Sequence, residues 1–582
     1  MTQTVVFHRS AASVQDPAQP VAFFTGGTAG GGSVDLRTII ANHVYQWLDE
    51  LSDAHAAIIE SAANHSRDVW LSGVSRLDAR PWGQAALIKP LFFARAIIFW
   101  LKNNPAAPSL VVVGAPSDTV RHLAVLAPEL RIQAPRDADG NRLSRSVRFL
   151  RLIIWAGREM TALYRHHHGP RRAPGAPGDT LLLAQPVRGQ PYQDAYKYFF
   201  TTLMDEDIQS RVSVAVIGII DREQRIAHPA ATDPEASCLF DGISLGLTVK
   251  AFFSAVAQAF MIRRRIKRHG SRLRGHAHTP LFWHRFAHQL VDPGELFHGL
   301  IVRDRLTRLI RIRGYRKILF PYEEKGLERA IIQACAAHQA TTLGYLPHPQ
   351  HRLLTALQDR PGSTCPKPDG YAFCGEAYVD FFKSWAGKTS APMIVWGSGK
   401  GVDKGTAHYS STTYRRSVVL ALSHPEELDL LRIWLGNCPA LTEHVDLTLR
   451  PYPAADPVLF RQALDDIRQT HPNLTVSTGS LESDIQHHDA VAFCATSAGL
   501  EAVMMGAVAL FVDLTDGFPI NPCFDDTSAF RPSFTEIEFA DNLAWLARAD
   551  ETALDDLRAH QVTATSRIFG PPDKAAVLQS VR

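Results

Sequence analysis

The sequence predicts an α/β protein with parallel sheets, and three observations lead to that prediction. Short runs rich in β-branched residues alternate with helix-like stretches along most of the chain, which is the pattern of parallel sheets covered by helices. The length of 582 residues is enough for two to four domains that each bury a core. The composition, 46% hydrophobic and 20% charged, is that of a soluble globular protein.

The elements follow one another as expected for such a fold, and no internal repeat stands out. The predicted strands are 109–113, 180–184, 212–219, 317–322, 341–345, 393–396, 417–422, 446–449, 474–478, 490–494 and 507–512. The predicted helices between them include 34–53, 193–205, 327–340 and 426–435.

Proline and glycine divide the chain. Such residues are dense at 169–178 and 360–370, and a glycine-rich stretch closes the segment 371–405. We therefore predict an N-terminal α/β domain with insertions at 1–390 and a compact C-terminal domain at 391–582. Two such domains facing each other across a cleft would surround a ligand with the carboxyl ends of their strands.

The cysteines and the apolar runs predict the cellular compartment of the protein. Seven cysteines form no C-x-x-C pair, which favours reduced thiols in the cytoplasm. We expect no export signal, because no positively charged leader followed by an apolar core opens the sequence. We also expect no membrane span, because no uninterrupted apolar run reaches about 18 residues.

The positive charge is concentrated in two stretches. Residues 263–317 hold fifteen Lys or Arg against three Asp or Glu, and residues 142–172 hold eight Arg against one Glu. Large apolar residues lie among these charges, so the stretches would suit an anionic membrane surface or an anionic acceptor. Solvated helix faces with snorkelling arginines explain the same pattern. No nucleic-acid partner is expected, because no binding motif accompanies the charge.

The stretch 495–502 follows a predicted strand and opens a helix. Backbone N–H groups and the hydroxyls of Thr496 and Ser497 would meet a phosphate there. Gly499 lies within this turn, and Glu501 would accept hydrogen bonds from ribose hydroxyls. An ordinary Thr/Ser helix cap is the alternative.

Two further strand ends carry ionisable groups. Glu323 and Glu324 follow the strand near 317–322, where a carboxylate would serve as general base; complementing a helix dipole is the alternative. After the strand near 417–422, Ser423 and Glu426 have capping-box spacing, which leaves His424 to bind a phosphate or protonate a leaving group. A solvated loop histidine is equally consistent with the sequence.

The stretch 449–453 ends another strand with two prolines. Arg450 would pair with a phosphate there, although a plain strand-ending turn also explains the prolines. The glycines at 25–33 do not follow a P-loop pattern and are interpreted as a flexible loop. The histidines at 166–168 have no acidic or cysteine partner at ligand spacing, so no metal site is predicted.

Three of these motifs together resemble bacterial surface-carbohydrate glycosyltransferases with the GT-B fold. The pattern is similar to that of the CMP-sugar-dependent sialyltransferase, polysialyltransferase and Kdo-transferase group, with its D/E-D/E-G, K/R-P-H-P and Ser-Ser motifs. The matching residues are Glu323, Glu324 and Gly326, then Arg450, Pro451 and Pro453, then Thr496 and Ser497. Tyr452 stands where that group usually has a histidine. The resemblance covers roughly residues 315–515.

The resemblance implies two Rossmann-like domains and transfer of a nonulosonic acid or Kdo-type sugar from its CMP ester to a glycan, lipid-linked or protein acceptor. It implies a general base at Glu323 or Glu324. In the C-terminal domain the nucleotide would contact residues of three loops: Thr496, Ser497, Gly499, Glu501, Arg450, Tyr452 and His424. No cofactor and no obligatory metal are expected.

Other functions remain open at this point. A transferase using a UDP-sugar or CDP-glycerol, or a nucleotide-sugar 2-epimerase, would share the fold. A non-catalytic membrane- or polyanion-binding protein would use only the arginine-rich stretches. For acceptor binding the candidates are Arg188 and Tyr192, in the loop after 180–184. The expected location is the cytoplasm, peripheral to the inner face of the cytoplasmic membrane.

Overall fold

A computed structural model describes most of the chain between residues 3 and 581. The longer segments outside the described residues are 9–20, 24–32, 72–84, 134–149, 165–178, 185–202, 218–238, 350–362 and 399–415, with shorter stretches of at most six residues elsewhere.

The first sheet has five parallel strands in the order β3-β2-β4-β1-β5. The strands are β1 (Thr4–His8), β2 (Val21–Phe23), β3 (Ser33–Val34), β4 (Ser109–Val113) and β5 (Arg131–Gln133). Three helices, α1 (Leu36–Ala63), α2 (Ala85–Asn103) and α3 (Ser117–Leu126), and a 3₁₀ turn at Arg67–Leu71 belong to the same region. Helix α1 buries an apolar stripe at helical spacing, as an amphipathic helix on a core does: Ile40, Val44, Trp47, Leu51 and Ile58.

The second sheet has six parallel strands in the order β11-β10-β9-β8-β6-β7. The strands are β6 (Thr180–Ala184), β7 (Val212–Val216), β8 (Lys317–Pro321), β9 (Thr341–Leu346), β10 (Gly370–Phe373) and β11 (Met393–Val395). Strand β6 is buried at all five positions, as expected for a parallel strand covered on both faces.

Helices cover this sheet and fill the long connection between β7 and β8. They are α4 (Glu206–Gln209), α5 (Leu245–Gly270), α6 (Pro280–Leu290), α7 (Pro293–Arg313), α8 (Gly326–Ala336) and α9 (Glu376–Trp385). Ser244, Thr279 and Asp292 cap α5, α6 and α7 through their side-chain oxygens. The residues 150–158 form a further helical segment.

The third sheet has five parallel strands in the order β14-β13-β12-β15-β16. The strands are β12 (Arg416–Ala421), β13 (Val445–Arg450), β14 (Thr475–Val476), β15 (Ala490–Phe493) and β16 (Val508–Phe511). The helices are α10 (Pro425–Asn437), α11 (Pro457–Thr470), α12 (Leu481–His487), α13 (Ala498–Met504), α14 (Glu536–Arg548), α15 (Glu551–Ile568) and α16 (Lys574–Val581), with 3₁₀ turns at Pro439–Thr442 and Ser528–Phe530.

The last helix leaves the third sheet and returns to the second. Thr180 and Lys317 donate hydrogen bonds to the carbonyls of Val581 and Ser580, and the Trp396 indole donates to the Ser580 hydroxyl at 3.1 Å. The predicted domain boundary at 390/391 stays a prediction. Strand β11 lies just beyond it and is still hydrogen-bonded into the second sheet.

The α/β fold class with parallel, Rossmann-like sheets is confirmed. Every strand predicted from the sequence is present, within a few residues of its expected bounds. Of the first sheet, only β4 was among the predicted strands, since β2, β3 and β5 have just three, two and three residues. The predicted helix 193–205 lies outside the described residues except for Leu203.

Within the described part of the chain, one helix is long and apolar enough to cross a membrane by length and composition, although no uninterrupted apolar run marks it in the sequence. It is α5, and 28% of its most apolar 18-residue window is buried within the fold. The run was missed because Lys250 and Gln258 interrupt it.

Candidate functional site

The third sheet reverses its strand order between β12 and β15. From β12 the chain adds β13 and β14 on one side, then returns to add β15 and β16 on the other. Ala421 is in register with Phe493, so the loops after these two strands begin at the same level. In open α/β sheets a crevice forms at such a reversal, outside the carboxyl ends of the strands, and ligands bind there. Two of the predicted loops, those of His424 and of Thr496 and Ser497, lie at this point.

The loop after β15 presents the two predicted hydroxyls, both half-buried. Ser497 Oγ donates to Glu501 Oε1 at 2.8 Å, one helical turn away, and Thr496 Oγ1 accepts from the Ala498 N–H at 3.3 Å. Ser497 precedes α13 but forms no side-chain cap. Thr496 therefore behaves partly as the helix cap that was the alternative interpretation, whereas Ser497 and Glu501 form a polar pair beside the crevice.

Gly499 has a steric explanation. A Cβ atom at this position would lie 2.0 Å from the ring of Phe493, far inside van der Waals contact. The glycine therefore lets the first turn of α13 pack on the end of β15. A direct contact of Gly499 with nucleotide stays a prediction.

Helix α10, which follows β12 after a short loop, contributes a buried carboxyl that sequence reasoning missed. Glu427 is 1% exposed; its Oε2 accepts from the Ser423 N–H at 2.8 Å, and its Oε1 accepts from the Ser423 hydroxyl. The capping partner of Ser423 is thus Glu427, one residue beyond the predicted Glu426. Burial raises the pKa of Glu427 to about 7, nearby Asp513 adds to the rise, and the Ser423 donors oppose it. His424 itself is half-buried in this loop.

The Arg450 side chain binds residues of a neighbouring loop and helix within the third-sheet region. Its Nη1 donates to the Gly479 carbonyl at 2.8 Å and forms an ion pair with Asp484, which also accepts from the Ser477 hydroxyl. The arginine is 8% exposed. Its charge is balanced within the fold, so the geometry favours the structural interpretation, and the predicted phosphate contact stays a prediction.

Tyr452 follows two residues later and is 46% exposed. It lies on the same strand exit as Arg450. A contact of the Tyr452 hydroxyl with nucleotide phosphate stays a prediction.

The second sheet also reverses, between β6 and β8. Glu323 and Glu324 directly follow β8 and its continuation at Tyr322. The predicted acceptor residues Arg188 and Tyr192 belong to the loop after β6, the strand that pairs with β8, but they lie outside the described residues. A crevice is expected at the carboxyl ends of β6 and β8, and the assignment of Arg188 and Tyr192 to acceptor binding stays a prediction.

Glu323 is the accessible member of the acidic pair. Its side chain is 22% exposed, and its Oε2 lies 2.5 Å from Lys325 Nζ. The neighbouring Glu328 is fully buried and accepts the backbone N–H groups of Glu323 and Lys325 at 2.7 and 3.0 Å. Burial raises the pKa of Glu328 to about 7 against these hydrogen bonds and the Lys325 charge. Glu328 therefore fixes the turn that presents Glu323.

Glu324 points the other way, into the protein. It is 2% exposed and has φ of 64°, a left-handed conformation that a glutamate rarely adopts. Its Oε2 lies 3.5 Å from Arg329 Nη2 and its Oε1 accepts from the Tyr322 hydroxyl at 3.4 Å. Arg329 is fully buried against the Trp70 ring, and its Nε and Nη1 have no partner among the described residues. The two glutamates therefore have different surroundings, which the sequence did not distinguish.

The glycine of this motif also has a packing role. A Cβ on Gly326 would lie 2.3 Å from the Leu71 carbonyl oxygen. The N-terminus of α8 therefore approaches the 3₁₀ turn Arg67–Leu71 closely, which ties the loop after β8 to the first sheet's helices.

The same helices contact the edge of the third sheet. The rings of Phe92 on α2 and Phe518, which follows β16, stack with centroids 6.0 Å apart. Lys89, 8% exposed, places its Nζ 5.8 Å from the centre of the Phe518 ring. Lys89 is a nearly buried cation beside Phe518 that sequence reasoning missed, because it lies in an apolar helix far away along the chain.

The chain is similar to known proteins only at the level of solved structures with low sequence identity. No protein-family model and no curated protein matches the sequence. Among solved structures, MurG of Acinetobacter baumannii has 11% identity and a TM-score of 0.37, covering 69% of this chain and 98% of its own. A mutant O-GlcNAc transferase of Thermobaculum terrenum has 12% identity and a TM-score of 0.36, covering 91% and 96%. The N-terminal domain of Candida albicans trehalose-6-phosphate phosphatase has 10% identity and a TM-score of 0.41, covering 69% and 95%.

These TM-scores lie below 0.5, so the likenesses carry no argument about function. The assignment of the α/β class rests on the three parallel sheets themselves. Among the described residues, no three His, Cys, Asp or Glu side chains come together in a way that could hold a metal ion.

Proposed function

We propose that the chain is a glycosyltransferase that binds a nucleotide-activated sugar at the strand reversal of the third sheet. The observation that carries this proposal is the position of two polar loops on adjacent strands, β12 and β15, at that reversal. A crevice there is the usual ligand site of an open α/β sheet. The second sheet has a reversal of its own, with Glu323 at the end of β8.

The chemistry of the third-sheet loops suits a nucleotide. A donor phosphate would take hydrogen bonds from the hydroxyls of Thr496 and Ser497 and from His424. Glu501 now accepts from Ser497 at 2.8 Å, and a ribose hydroxyl would take over as donor to this carboxylate. Lys89, beside Phe518 in the segment that follows β16, would add positive charge to the phosphate site.

The donor in this proposal is a CMP-activated nonulosonic acid or Kdo-type sugar. The motif pattern at residues 323–326, 450–453 and 496–497 supports that choice. Because Arg450 is paired with Asp484, the hydroxyls, His424, Tyr452 and Lys89 would carry the phosphate contacts. A UDP-sugar or CDP-glycerol would fit the same loop chemistry. The thermal-shift panel described below distinguishes these donors from a CMP-sugar.

On the acceptor side, Glu323 would act as general base. The hydroxyl of a glycan, lipid-linked or protein acceptor attacks the anomeric carbon, its proton passes to the Glu323 carboxylate, and the bond to the nucleotide phosphate breaks. Glu324 is 2% exposed and held by Arg329, so it would support the turn rather than touch the acceptor. No step in the proposal uses a metal or cofactor.

The proposal includes a cytoplasmic location. Six cysteines are free in the described part of the chain, and four of these are buried. Reduced, buried thiols are typical of proteins in a reducing compartment.

A thermal-shift panel tests donor binding. CMP at about a hundred times its Kd should stabilise the wild-type protein by about 2.7 kcal/mol, and Ser497→Ala should weaken that effect several-fold. Ser566→Ala, an exposed serine on α15 that donates to a backbone carbonyl, is the matched control and should behave like wild type. Stabilisation by UDP but not CMP would contradict the donor assignment, and no stabilisation by CMP, UDP, CDP or GDP would contradict a nucleotide site.

Glu323→Gln and Glu324→Gln test the acceptor side separately. We expect Glu323→Gln to lower the transfer rate by about two to four orders of magnitude while nucleotide binding is unchanged. Glu324→Gln should act mainly on stability. Full transfer activity in both variants would remove the general base from the mechanism.

A further inference from the structure

Helix α5 differs from an ordinary surface helix, because its largest apolar side chains face solvent while mostly small side chains face the core. The large aromatic residues Phe253 and Phe260 are 66% and 60% exposed, and Met261 beside them is 45% exposed. The buried stripe on the opposite face consists largely of small residues: Thr248, Ala251, Ala255, Ala259, Ile262 and Ile266. A helix whose only apolar partner is its own protein core buries its largest side chains.

The exposed residues form one continuous stripe. Positions 250, 253, 257, 260, 261, 264 and 268 recur at three- and four-residue spacing and are all exposed, so they share one face of the helix. Apolar residues occupy its centre, with Lys250 at one end and Arg264 and Arg268 at the other. Residues 245–270 contain no Asp or Glu, so the stripe carries positive charge only.

A second apolar surface adjoins this stripe. Leu150 and Ile154, 56% and 49% exposed, lie one turn apart on the helical segment 150–158. That segment packs beside α5, since a Cβ on Gly157 would lie 3.8 Å from the Phe252 ring. Exposed apolar residues thus occur on two neighbouring helices, and the second helix also carries the exposed Arg151 and Arg158.

The other face of α5 is held within the protein. It contacts α1, α6 and α7, Gln258 accepts from Ser66 at 2.8 Å, and Arg263 donates to the carbonyls of His288 and Val291. A helix with one face fixed in this way cannot be surrounded by lipid. Partial burial with exposed aromatics and flanking cations fits the headgroup boundary instead.

We propose that the exposed stripe of α5 docks on an anionic phospholipid bilayer, with the helix axis parallel to the membrane plane. Phe253, Phe260 and Met261 enter the boundary between headgroups and acyl chains, while Arg264 and Arg268 meet anionic headgroups. The residues of the stripe belong to neither of the strand-end loops, so this inference does not depend on the identity of the donor.

Vesicle flotation tests the inference with the full chain. Wild-type protein should float with vesicles of phosphatidylcholine containing 30% phosphatidylglycerol, and only weakly with phosphatidylcholine alone. Phe253→Ser with Phe260→Ser should lower the partition coefficient at least tenfold. Arg264→Glu with Arg268→Glu should remove most of the preference for anionic vesicles and its dependence on salt.

Ile537→Ser with Val562→Ser is the matched control, since these apolar residues are 66% and 49% exposed on helices of the third sheet. It should float as wild type does, and the melting temperatures of all variants should agree within a few degrees. Equal flotation of wild type and the phenylalanine variant would overturn the inference. So would retention in the membrane after carbonate extraction, which indicates a span, or a dimer that dissociates in the phenylalanine variant and does not bind vesicles.

Discussion

Glu427→Gln should remove part of the pH dependence of stability. Glu427 is 1% exposed and takes two hydrogen bonds from Ser423, and burial raises its pKa from 4.5 to about 7. A glutamine of the same shape keeps an acceptor for the Ser423 N–H and places a donor beside the Ser423 hydroxyl. It has no proton to lose, so the packing changes little while the titration disappears.

The direction in which stability changes with pH follows from proton binding by Glu427. A carboxyl with a raised pKa holds its proton in the folded state at pH values where the unfolded chain has released it. Its contribution to stability is complete below about pH 4.5 and is lost as the pH rises through about 7. A rise of this size corresponds to roughly 3 kcal/mol. For a domain of 150–250 residues that is at most roughly 6–12 °C in melting temperature.

Calorimetric melting at pH 5.0, 7.0 and 8.5 measures the difference between wild type and Glu427→Gln. We expect the melting temperature of the variant to increase relative to that of the wild type as the pH rises. The contribution of Glu328 to the pH dependence cancels, because both proteins retain this residue. Glu443→Gln, at an exposed site, is the control and should follow the wild type. Parallel melting curves for wild type and Glu427→Gln across this range would refute the reasoning.

Two further variants test packing and charge. Gly499→Ala would place a methyl group 2.0 Å from the Phe493 ring, so we expect a loss of about 1–3 kcal/mol in thermal or urea unfolding; an unchanged melting temperature would contradict the close approach. Arg329→Met would leave the Glu324 carboxylate buried without its counter-charge, and a loss of about 3–5 kcal/mol is expected. Wild-type stability of that variant at pH 8 would show that the ion pair is not needed.

The strands were predictable because their signal is local. The apolar runs at Thr180–Ala184 and Ala490–Phe493 are buried at every position, so continuous apolar character in the sequence translates directly into parallel strands. The short strand Val21–Phe23 lies beside a glycine-rich stretch and has too few residues to give such a signal.

The strand-end loops were also predictable in position, but the directions of their side chains were not. Glu323 and Glu324 are adjacent in sequence, yet one is accessible and the other is turned inward by a left-handed backbone conformation at residue 324. Arg450 was predicted to pair with a phosphate, whereas in the structure it pairs with Asp484, 34 residues away. Long-range partners of this kind are set by the tertiary fold, which single motifs do not encode.

The face of α5 illustrates the same limit. Arginines mixed with phenylalanines in the sequence are consistent with two interpretations, a solvated helix face and a membrane-binding face. Only the packing against α1 and α7 determines which residues stay outside, and it leaves Phe253 and Phe260 exposed.

The most direct test of the central claim is amide hydrogen exchange, followed by mass spectrometry, with and without CMP. A nucleotide at the strand reversal of the third sheet should slow exchange in peptides covering 422–428 and 494–502, because bound ligand suppresses local opening. The Ser497→Ala variant should show less protection at the same CMP concentration. Protection confined to other peptides, such as those covering the glycines at 25–33, would contradict the assignment of the nucleotide site.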